Sequence, residues 1–201
     1  YSNPTGNTYS DDVVTALAEL PNRTAASDFI VLWDNAYAVH HLEQTGDTLA
    51  SIRDAATTAA THEHVVQFAS TSKITFAGAG VGFVASGAKV LQNLMAHLSV
   101  QTVGPDKVNQ LRHARFLNGR VAEHMAAHAE ILRPKFALVE EILTEQLGDL
   151  AVAHWTQPKG GYFVSLDLLP GLAKQVVTMA KESGLALTPA GATFPYGIDP
   201  N

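Results

Sequence analysis

The 201-residue sequence contains no cysteine, which excludes disulfide bonds, a thiolate nucleophile and any zinc site with cysteine ligands. Basic residues are in the minority, with 13 Lys and Arg against 19 Asp and Glu and a net charge of −6. That balance argues against general binding to nucleic acid or to anionic membranes. No apolar run is long enough to span a membrane, and no signal-peptide pattern opens the chain. The lack of cysteine is compatible with a reducing compartment, and we expect a cytoplasmic protein.

The composition is that of a folded globular chain. Hydrophobic residues make up 46% of the sequence and charged residues 16%, so the chain can bury a sizeable core. It begins at Tyr1 without a methionine and stops at Asn201 among residues typical of a loop. We therefore expect a piece of a longer protein.

The first part of the chain alternates helical patterns with short apolar runs. The predicted elements, in order, are a helix capped by Ser10 and closed by Pro21, a strand at 29–33 buried on both faces, a helix at 48–60, and buried strands in "HVVQFAS" and "VGFVAS". Strands that alternate with helices in this way are typical of an α/β fold with a mostly parallel sheet.

The composition becomes helical after about residue 86. Pro105 is expected in the first turn of a helix, and Pro134 is expected to kink or break the run at 119–147. Then follow a predicted strand in "GYFVSLDL", a helix at 172–183 ended by Gly184, and a strand in "LALTP". This order predicts a smaller α+β domain after the first one, with the boundary between residues 1–118 and 119–201.

Lys73 is the only charged residue between Val65 and Ala88, and small hydroxyl residues and glycines surround it. If this segment is buried, the ammonium form is disfavoured, and the neutral amine can attack an aldehyde. The alternative is a surface lysine that has few charged neighbours, as most lysines are.

Other polar residues stand where a cofactor could use them. Asp34 ends the apolar run at 29–33, and a carboxylate there could pair with a pyridinium nitrogen. Tyr37, three residues further on, could direct its phenol toward the same end of the predicted strand. Ser70 and Ser72 could donate to a phosphate, and Asn3 of "NPTGN" could reach a ring hydroxyl. For each of these residues except Tyr37, ordinary turn chemistry is the alternative.

The motifs "NPTGN", "DNAY" and "STSK" resemble, in this order, those of fold-type-I pyridoxal-phosphate aminotransferases of the aspartate aminotransferase family. The segments "PKGGYFVSLDL" and "ALTPAGATF" are similar to the C-terminal domain of that family, so the resemblance covers nearly the whole chain. It implies that residues 1–118 are the C-terminal part of the large pyridoxal-phosphate-binding domain. Residues 119–201 would form most of the small domain.

The resemblance also implies a role for each site residue. Lys73 would hold the cofactor as an internal aldimine and move the substrate proton, and the cofactor-binding residues would be Asn3, Asp34, Tyr37, Ser70, Ser72 and Lys73 itself. Asp34 would pair with the ring nitrogen, Asn3 and Tyr37 with the ring oxygen, and the two serines with the phosphate. The implied reaction moves an amino group between an L-amino acid such as aspartate and a 2-oxo acid such as 2-oxoglutarate, in a homodimer.

The sequence departs from the family pattern at Val81, where many members carry a phosphate-binding arginine. The arginine that grips the substrate carboxylate is also missing, and the pattern would put it beyond Asn201. Two alternatives stay open. One is a lyase, decarboxylase or synthase of the same fold, and the other is the aminotransferase-like effector domain of a GntR-type transcription regulator.

Several further patterns are weaker. "GVGFVA" fits a dinucleotide fingerprint, but its glycines are better explained by close backbone packing. The histidine pairs lack a third ligand nearby, so we predict no metal site and expect exposed histidines at His62, His64, His124 and His128. His40 and His41 follow the Tyr37 turn without an assigned role. The acidic cluster at Glu140, Glu141 and Glu145 is expected to be a solvated helix face.

Overall fold

The computed structural model describes residues 1–188, 191–192 and 194–198 of the chain. Within these residues the elements are α1 Asp11–Arg23, β1 Val31–Asp34, α2 Ile52–Thr58, β2 Val65–Ser70, β3 Gly82–Ala85, α3 Ala88–Gln101, α4 Lys107–Leu117, α5 Val121–Leu147, β4 Ala153–Trp155, β5 Leu166–Leu168 and α6 Ala173–Glu182. The predicted α/β alternation is confirmed. The predicted division at residue 118 stays a prediction.

The larger sheet has the strand order β1-β2-β3. β1 and β2 are parallel, with Val31 opposite Val65 and Asp34 opposite Phe68, whereas β2 and β3 are antiparallel. The segment between β2 and β3 contains no helix that could carry the chain back across the sheet, so β3 returns in the opposite direction. The described sheet therefore has one parallel and one antiparallel pairing, and a mostly parallel sheet is not confirmed.

The hydrophobic core lies between one face of this sheet and the two helices α1 and α2. Its buried members are Val14, Ala18, Trp33, Ile52, Ala56 and Val65. On β1, Trp33 is 7% exposed, whereas its neighbour Leu32 is 69% exposed. Successive strand residues point to opposite faces, so only one face of β1 is covered by described residues. The prediction that this strand is buried on both faces is wrong, and all of β3 is exposed as well.

Ile52 is the largest fully buried side chain of this core, at 1% exposure. Replacing it with alanine is expected to lower the free energy of unfolding by about 2–5 kcal/mol, because the cavity left behind adds to the lost burial. The matched control is Ile131→Ala on α5, where the side chain is 60% exposed. Urea unfolding measures both variants, and an Ile52→Ala loss no larger than the control would contradict this core assignment.

The helix starts follow side-chain caps. The Ser10 hydroxyl accepts a hydrogen bond from the Val13 amide at 3.4 Å, as predicted for α1. The helix predicted at 48–60 begins only at Ile52, because the Ser51 hydroxyl caps the Asp54 amide at 3.2 Å.

Pro105 and Pro21 are placed differently from the prediction. Pro105 precedes α4 instead of lying in its first turn, because the Asp106 carboxylate caps the Asn109 amide at 3.0 Å. Pro21 lies inside α1, which continues to Arg23. Pro134 lies inside α5, which is not broken there, so the predicted break is wrong and the predicted kink stays a prediction. A proline costs a helix interior about 3 kcal/mol, and long helical segments on both sides of Pro134 outweigh that cost.

The second sheet pairs β4 with β5 in antiparallel register, Trp155 opposite Leu166. The strand predicted over "GYFVSLDL" is therefore only Leu166–Leu168. Residues 185–188 of the predicted "LALTP" strand are not a strand, because no described segment pairs with them, and Pro189 lies outside the described residues. The predicted last helix is confirmed as α6, with Gly184 at φ +87° after it.

Glu140 joins α5 to this second sheet. Its carboxylate accepts hydrogen bonds from Trp155 Nε1 at 3.0 Å and from Gln157 Nε2 at 2.6 Å. The predicted solvated acidic face is thus wrong at Glu140, although Glu141 and Glu145 are exposed. Among the described helices, none is both long enough and apolar enough to cross a membrane.

Backbone hydrogen bonds connect the turn after β1 with the loop before β5. The Leu42 amide donates to the Lys159 carbonyl at 2.9 Å, and the Gly161 amide donates to the His40 carbonyl at 2.9 Å. The two segments run antiparallel at the bridge between His41 and Gly160. This connection brings Tyr162 next to residues of the β1 turn.

Candidate functional site

The carboxyl ends of β1 and β2 lie at one edge of the sheet, because the two strands are parallel. Asp34 ends β1 opposite Phe68, and the Asn35 amide donates to the Phe68 carbonyl at 2.9 Å. β2 continues to Ser70 and leads into the loop 71–75 that carries Lys73. Edges of this kind are where α/β sheets bind ligands.

A cavity of about 360 Å³ opens at this edge, and Asn3, Asp34 and Tyr37 all line it. One carboxylate oxygen of Asp34 accepts a hydrogen bond from the Ala36 amide at 3.0 Å, so Asp34 is also a turn residue. The Asp34 side chain is exposed. Ser70, Ser72 and Lys73 are not among the lining residues, so the structure brings together three of the six predicted site residues here.

Tyr37 is the buried member of this group, at 8% exposure. Its ring packs against His40, Tyr162 and Phe163, with centroid distances of 5.3, 5.7 and 5.9 Å. Burial raises the pKa of the Tyr37 phenol, and the negative charge of Asp34 raises it further. The phenol therefore keeps its proton at neutral pH and is a hydrogen-bond donor toward the cavity.

Ser70 and Ser72 form a small hydroxyl pair beside the lysine loop. Ser70 Oγ donates to Ser72 Oγ at 2.9 Å, and the Ser72 amide donates to Ser70 Oγ at 3.0 Å. A side chain at Gly80 would overlap with Ser72, which confirms the close packing predicted for that glycine. Gly82, by contrast, has open space around it.

Val81 stands where the family resemblance leads one to expect an arginine, and its backbone is engaged. The Val81 amide donates to the Thr71 hydroxyl at 2.8 Å, and the Thr71 amide donates to the Val81 carbonyl at 3.0 Å. These bonds extend the β2–β3 pairing into the lysine loop. Position 81 contributes packing and backbone order but no positive charge.

The Lys73 side chain is exposed, so the prediction of a desolvated amine is wrong for the described structure. The low charge of the surrounding sequence reflects small residues rather than burial. The Lys73 backbone is nevertheless held, because its carbonyl accepts hydrogen bonds from His40 Nε2 at 3.2 Å and from the Tyr162 hydroxyl at 3.1 Å.

Sequence reasoning missed the role of the histidines around this loop. His40 is 2% exposed and bonds the Lys73 carbonyl, and His124 Nε2 lies 2.7 Å from the Ile74 carbonyl. His128 Nε2 lies 2.8 Å from the Tyr162 hydroxyl. The expectation of exposed histidines is therefore wrong for His124 and His128. Their spacing of one helical turn, which puts both on one face of α5, was the available signal.

The segment from His62 to His64, which includes Glu63, makes structural contacts. Glu63 accepts hydrogen bonds from the Ala88 and Lys89 amides at 3.2 and 3.3 Å, which satisfies the start of α3. His64 Nδ1 lies 2.9 Å from the Phe29 carbonyl. Across the described ranges, no three side chains of His, Asp or Glu come together as a metal site would require.

Burial lowers the pKa values of His40 and His128 below the ordinary 6.5. In the unfolded chain both histidines take up a proton near pH 6.5, so the unfolded state binds more protons than the folded state just below that pH. The free energy of unfolding should therefore fall as the pH drops below about 6.5. It should level off below the folded-state pKa values.

Urea unfolding at pH 7.5, 6.5 and 5.5 measures this dependence. The decrease should be smaller in the double variant His40→Gln/His128→Gln than in His97→Gln, which changes an exposed histidine of α3. An equal decrease in the two variants would show that the buried histidines are not its cause.

Comparisons with known proteins agree with one another. The family model for aspartate amino-transferase matches residues 1–201. A candidate aminotransferase from Mycolicibacterium smegmatis is 51% identical over all of this chain and 47% of that protein. An aspartate aminotransferase from Corynebacterium glutamicum is 46% identical over all of this chain and 46% of that protein.

A solved structure is similar over the same extent. The crystal structure of an aspartate transaminase from Corynebacterium glutamicum matches with a TM-score of 0.91 and 46% identity, over 99% of this chain and 47% of that one. The chain thus spans about half the length of the curated relatives it matches.

Proposed function

Because the chain belongs to the aspartate aminotransferase family, we propose that the full-length protein is a pyridoxal-phosphate-dependent aminotransferase. It would move an amino group between L-aspartate and a 2-oxo acid such as 2-oxoglutarate. The observation that carries this proposal is the meeting of Asn3, Asp34 and Tyr37 on one cavity at the carboxyl edge of the sheet. The loop with Lys73 leaves the sheet at the same edge.

The residues at this edge fit the chemical groups of pyridoxal phosphate. A carboxylate suits a protonated ring nitrogen, a phenol and an amide suit a ring oxygen, and the hydroxyls of Ser70 and Ser72 suit a phosphate. The cavity of about 360 Å³ is within the ordinary range for a small-molecule site. Val81 adds no charge, so phosphate binding in this chain would depend on neutral donors.

Bound there, pyridoxal phosphate would supply an aldehyde that condenses with amines and a ring that withdraws electrons. Asp34 would hold a proton on the ring nitrogen through its charge. Tyr37, which keeps its own proton because burial and Asp34 raise its pKa, would donate to the ring oxygen together with the Asn3 amide. Ser72, whose hydroxyl hydrogen is not used in the bond from Ser70, would donate to the phosphate.

Lys73 would carry the acid–base work. Its amine would hold the cofactor between turnovers. After release, Nζ would take the proton from the substrate Cα and deliver it to C4′ of the cofactor. The long, exposed side chain leaves the amine free to reach both positions. Lysine is suited to this role because the same nitrogen serves as nucleophile and as base.

The test is the visible absorption of the full-length protein loaded with pyridoxal phosphate. We expect a visible band that L-aspartate abolishes and 2-oxoglutarate restores. No visible band in the loaded protein would contradict the cofactor. A band that no amino acid changes would contradict amino transfer, and loss of carbon dioxide or of a side chain from the substrate would favour the lyase alternative.

We also propose that the full-length protein acts as a homodimer, as the family resemblance implies. The chain exposes apolar side chains such as Phe83 and Val84 of β3, which a second copy or the remainder of the full-length protein would cover. Light scattering on the purified full-length protein measures the mass, and a monomer at micromolar concentration would contradict the proposal.

A further inference from the structure

The backbone carbonyl of Lys73 accepts two side-chain hydrogen bonds from distant parts of the chain. His40 Nε2 lies 3.2 Å away and belongs to the turn after β1, whereas the Tyr162 hydroxyl lies 3.1 Å away and precedes β5. A carbonyl oxygen has two lone pairs, so both bonds can form at once. The main chain at Lys73 is therefore held by side chains rather than by sheet pairing.

The same two side chains pack against Tyr37. The ring centroids of Tyr37 and His40 are 5.3 Å apart, those of Tyr37 and Tyr162 are 5.7 Å apart, and those of His40 and Tyr162 are 5.4 Å apart. The three rings thus contact one another pairwise. A displacement of the Lys73 main chain relative to the Tyr37 ring would break either the hydrogen bonds or the packing.

We infer that His40 and Tyr162 form a carbonyl clamp, a pair of positioning residues that fixes the main chain of Lys73 relative to Tyr37. This inference rests on the proposed function, in which Lys73 and Tyr37 act on the same cofactor. A long, exposed lysine side chain reaches many positions from a mobile backbone. A fixed backbone limits where its amine can go, and small misplacements of reacting groups are costly to rate.

The hydrogen bonds of the clamp define its protonation state. A carbonyl has no hydrogen, so His40 Nε2 must be the donor, and in the neutral ring Nδ1 then carries no proton. Nδ1 is buried and has no partner among the described residues. The groups around the ring are Tyr37, Tyr162 and His128, and none is an acid that could stabilise a charged His40. The clamp therefore works with His40 neutral.

His128 and His124 support the clamp from α5. When Tyr162 donates to the Lys73 carbonyl, His128 Nε2 must donate to the Tyr162 oxygen, 2.8 Å away. His124 Nε2 donates to the next carbonyl, that of Ile74, at 2.7 Å. One helix face thus orients the Tyr162 hydroxyl and holds the residue after Lys73.

Three variants of the full-length protein separate hydrogen bonding from packing. Tyr162→Phe removes only the hydroxyl, and His40→Leu removes the Nε2 donor. His40→Gln keeps an N–H donor on a side chain of similar reach. His97→Gln on the exposed face of α3 is the matched control. The readouts are the single-turnover rate constant with L-aspartate in the loaded enzyme and backbone hydrogen exchange of the segment 71–76 in the cofactor-free protein.

We expect Tyr162→Phe and His40→Leu to slow the single turnover about 10- to 100-fold and to speed exchange in 71–76. The single-turnover rate constant of His40→Gln should stay within about threefold of the wild-type value, because glutamine restores an N–H donor. His97→Gln should change neither readout. If His40→Leu does not fold, Tyr162→Phe alone decides, since it deletes one oxygen from a half-buried ring.

Three results would overturn the clamp. The first is a single-turnover rate for Tyr162→Phe equal to that of His97→Gln. The second is faster exchange without a slower rate, which would make the contact merely structural. The third is His40→Gln as slow as His40→Leu, which would assign the effect to ring packing. If the wild-type protein is active and any of these results is found, the clamp alone is contradicted. If the wild-type protein is inactive, the proposed function itself is contradicted.

Discussion

Under the proposed function, Lys73→Ala in the full-length protein is expected to lower kcat about 10⁴-fold or more, because it would remove both the proposed nucleophile that holds the cofactor and the proposed base that moves the substrate proton. The loss should appear in steady-state turnover of L-aspartate with 2-oxoglutarate. The cofactor should then absorb as the free aldehyde or as its product with an added amino acid.

The matched control for this variant is Lys89→Ala, at an exposed lysine near the start of α3. Its kcat should stay within about twofold of the wild-type value, since surface substitutions away from a site have small effects on the protein. A Lys73→Ala protein with turnover close to that of Lys89→Ala would place the essential amine elsewhere.

Asp34→Asn is expected to have the second largest effect, a loss of about 10²–10³-fold in kcat. The amide oxygen of asparagine can still accept the hydrogen bond from the Ala36 amide that Asp34 accepts at 3.0 Å. The variant therefore keeps the turn and removes the negative charge that would hold a proton on the ring nitrogen. Because that charge raises the pKa of Tyr37, the pKa of this phenol should also fall.

Asp28→Asn, which changes an exposed carboxylate before β1, is the control for charge alone. Steady-state kinetics with L-aspartate compares the two. If Asp34→Asn turns over L-aspartate as fast as Asp28→Asn, and both variants keep the melting temperature of the wild-type protein, the carboxylate at the end of β1 has no electrostatic role in the reaction.

Local chemistry explains which elements could be predicted from the sequence. The Ser10 cap, the turn at Gly184 and the three strands of the larger sheet follow from short patterns, and the structure has each of them within a few residues. The course of the chain at Pro134 was not predictable in this way. There the outcome depends on the helical segments around the proline rather than on the residue itself.

The candidate site likewise contains residues that could be predicted from the sequence and contacts that could not. The motifs around Asn3, Asp34 and Tyr37 led to residues that share one cavity, because Asp34 ends β1 and Tyr37 stands in the turn that follows it. The exposure of Lys73 could not be predicted, since burial depends on which elements cover the loop. The approach of Tyr162 to Lys73 depends on pairing between the β1 turn and the segment before β5, and no short-range pattern encodes such a distant contact.

The central claim is that the Lys73 amine holds pyridoxal phosphate, and the most direct measurement is to locate the attachment. The full-length protein is loaded with the cofactor, reduced with borohydride so that the bond becomes permanent, digested and sequenced by mass spectrometry. The account predicts the pyridoxyl group on the peptide from "STSKITF", at Lys73. A pyridoxyl group found on another lysine, or none on any peptide of a fully loaded protein, would contradict it.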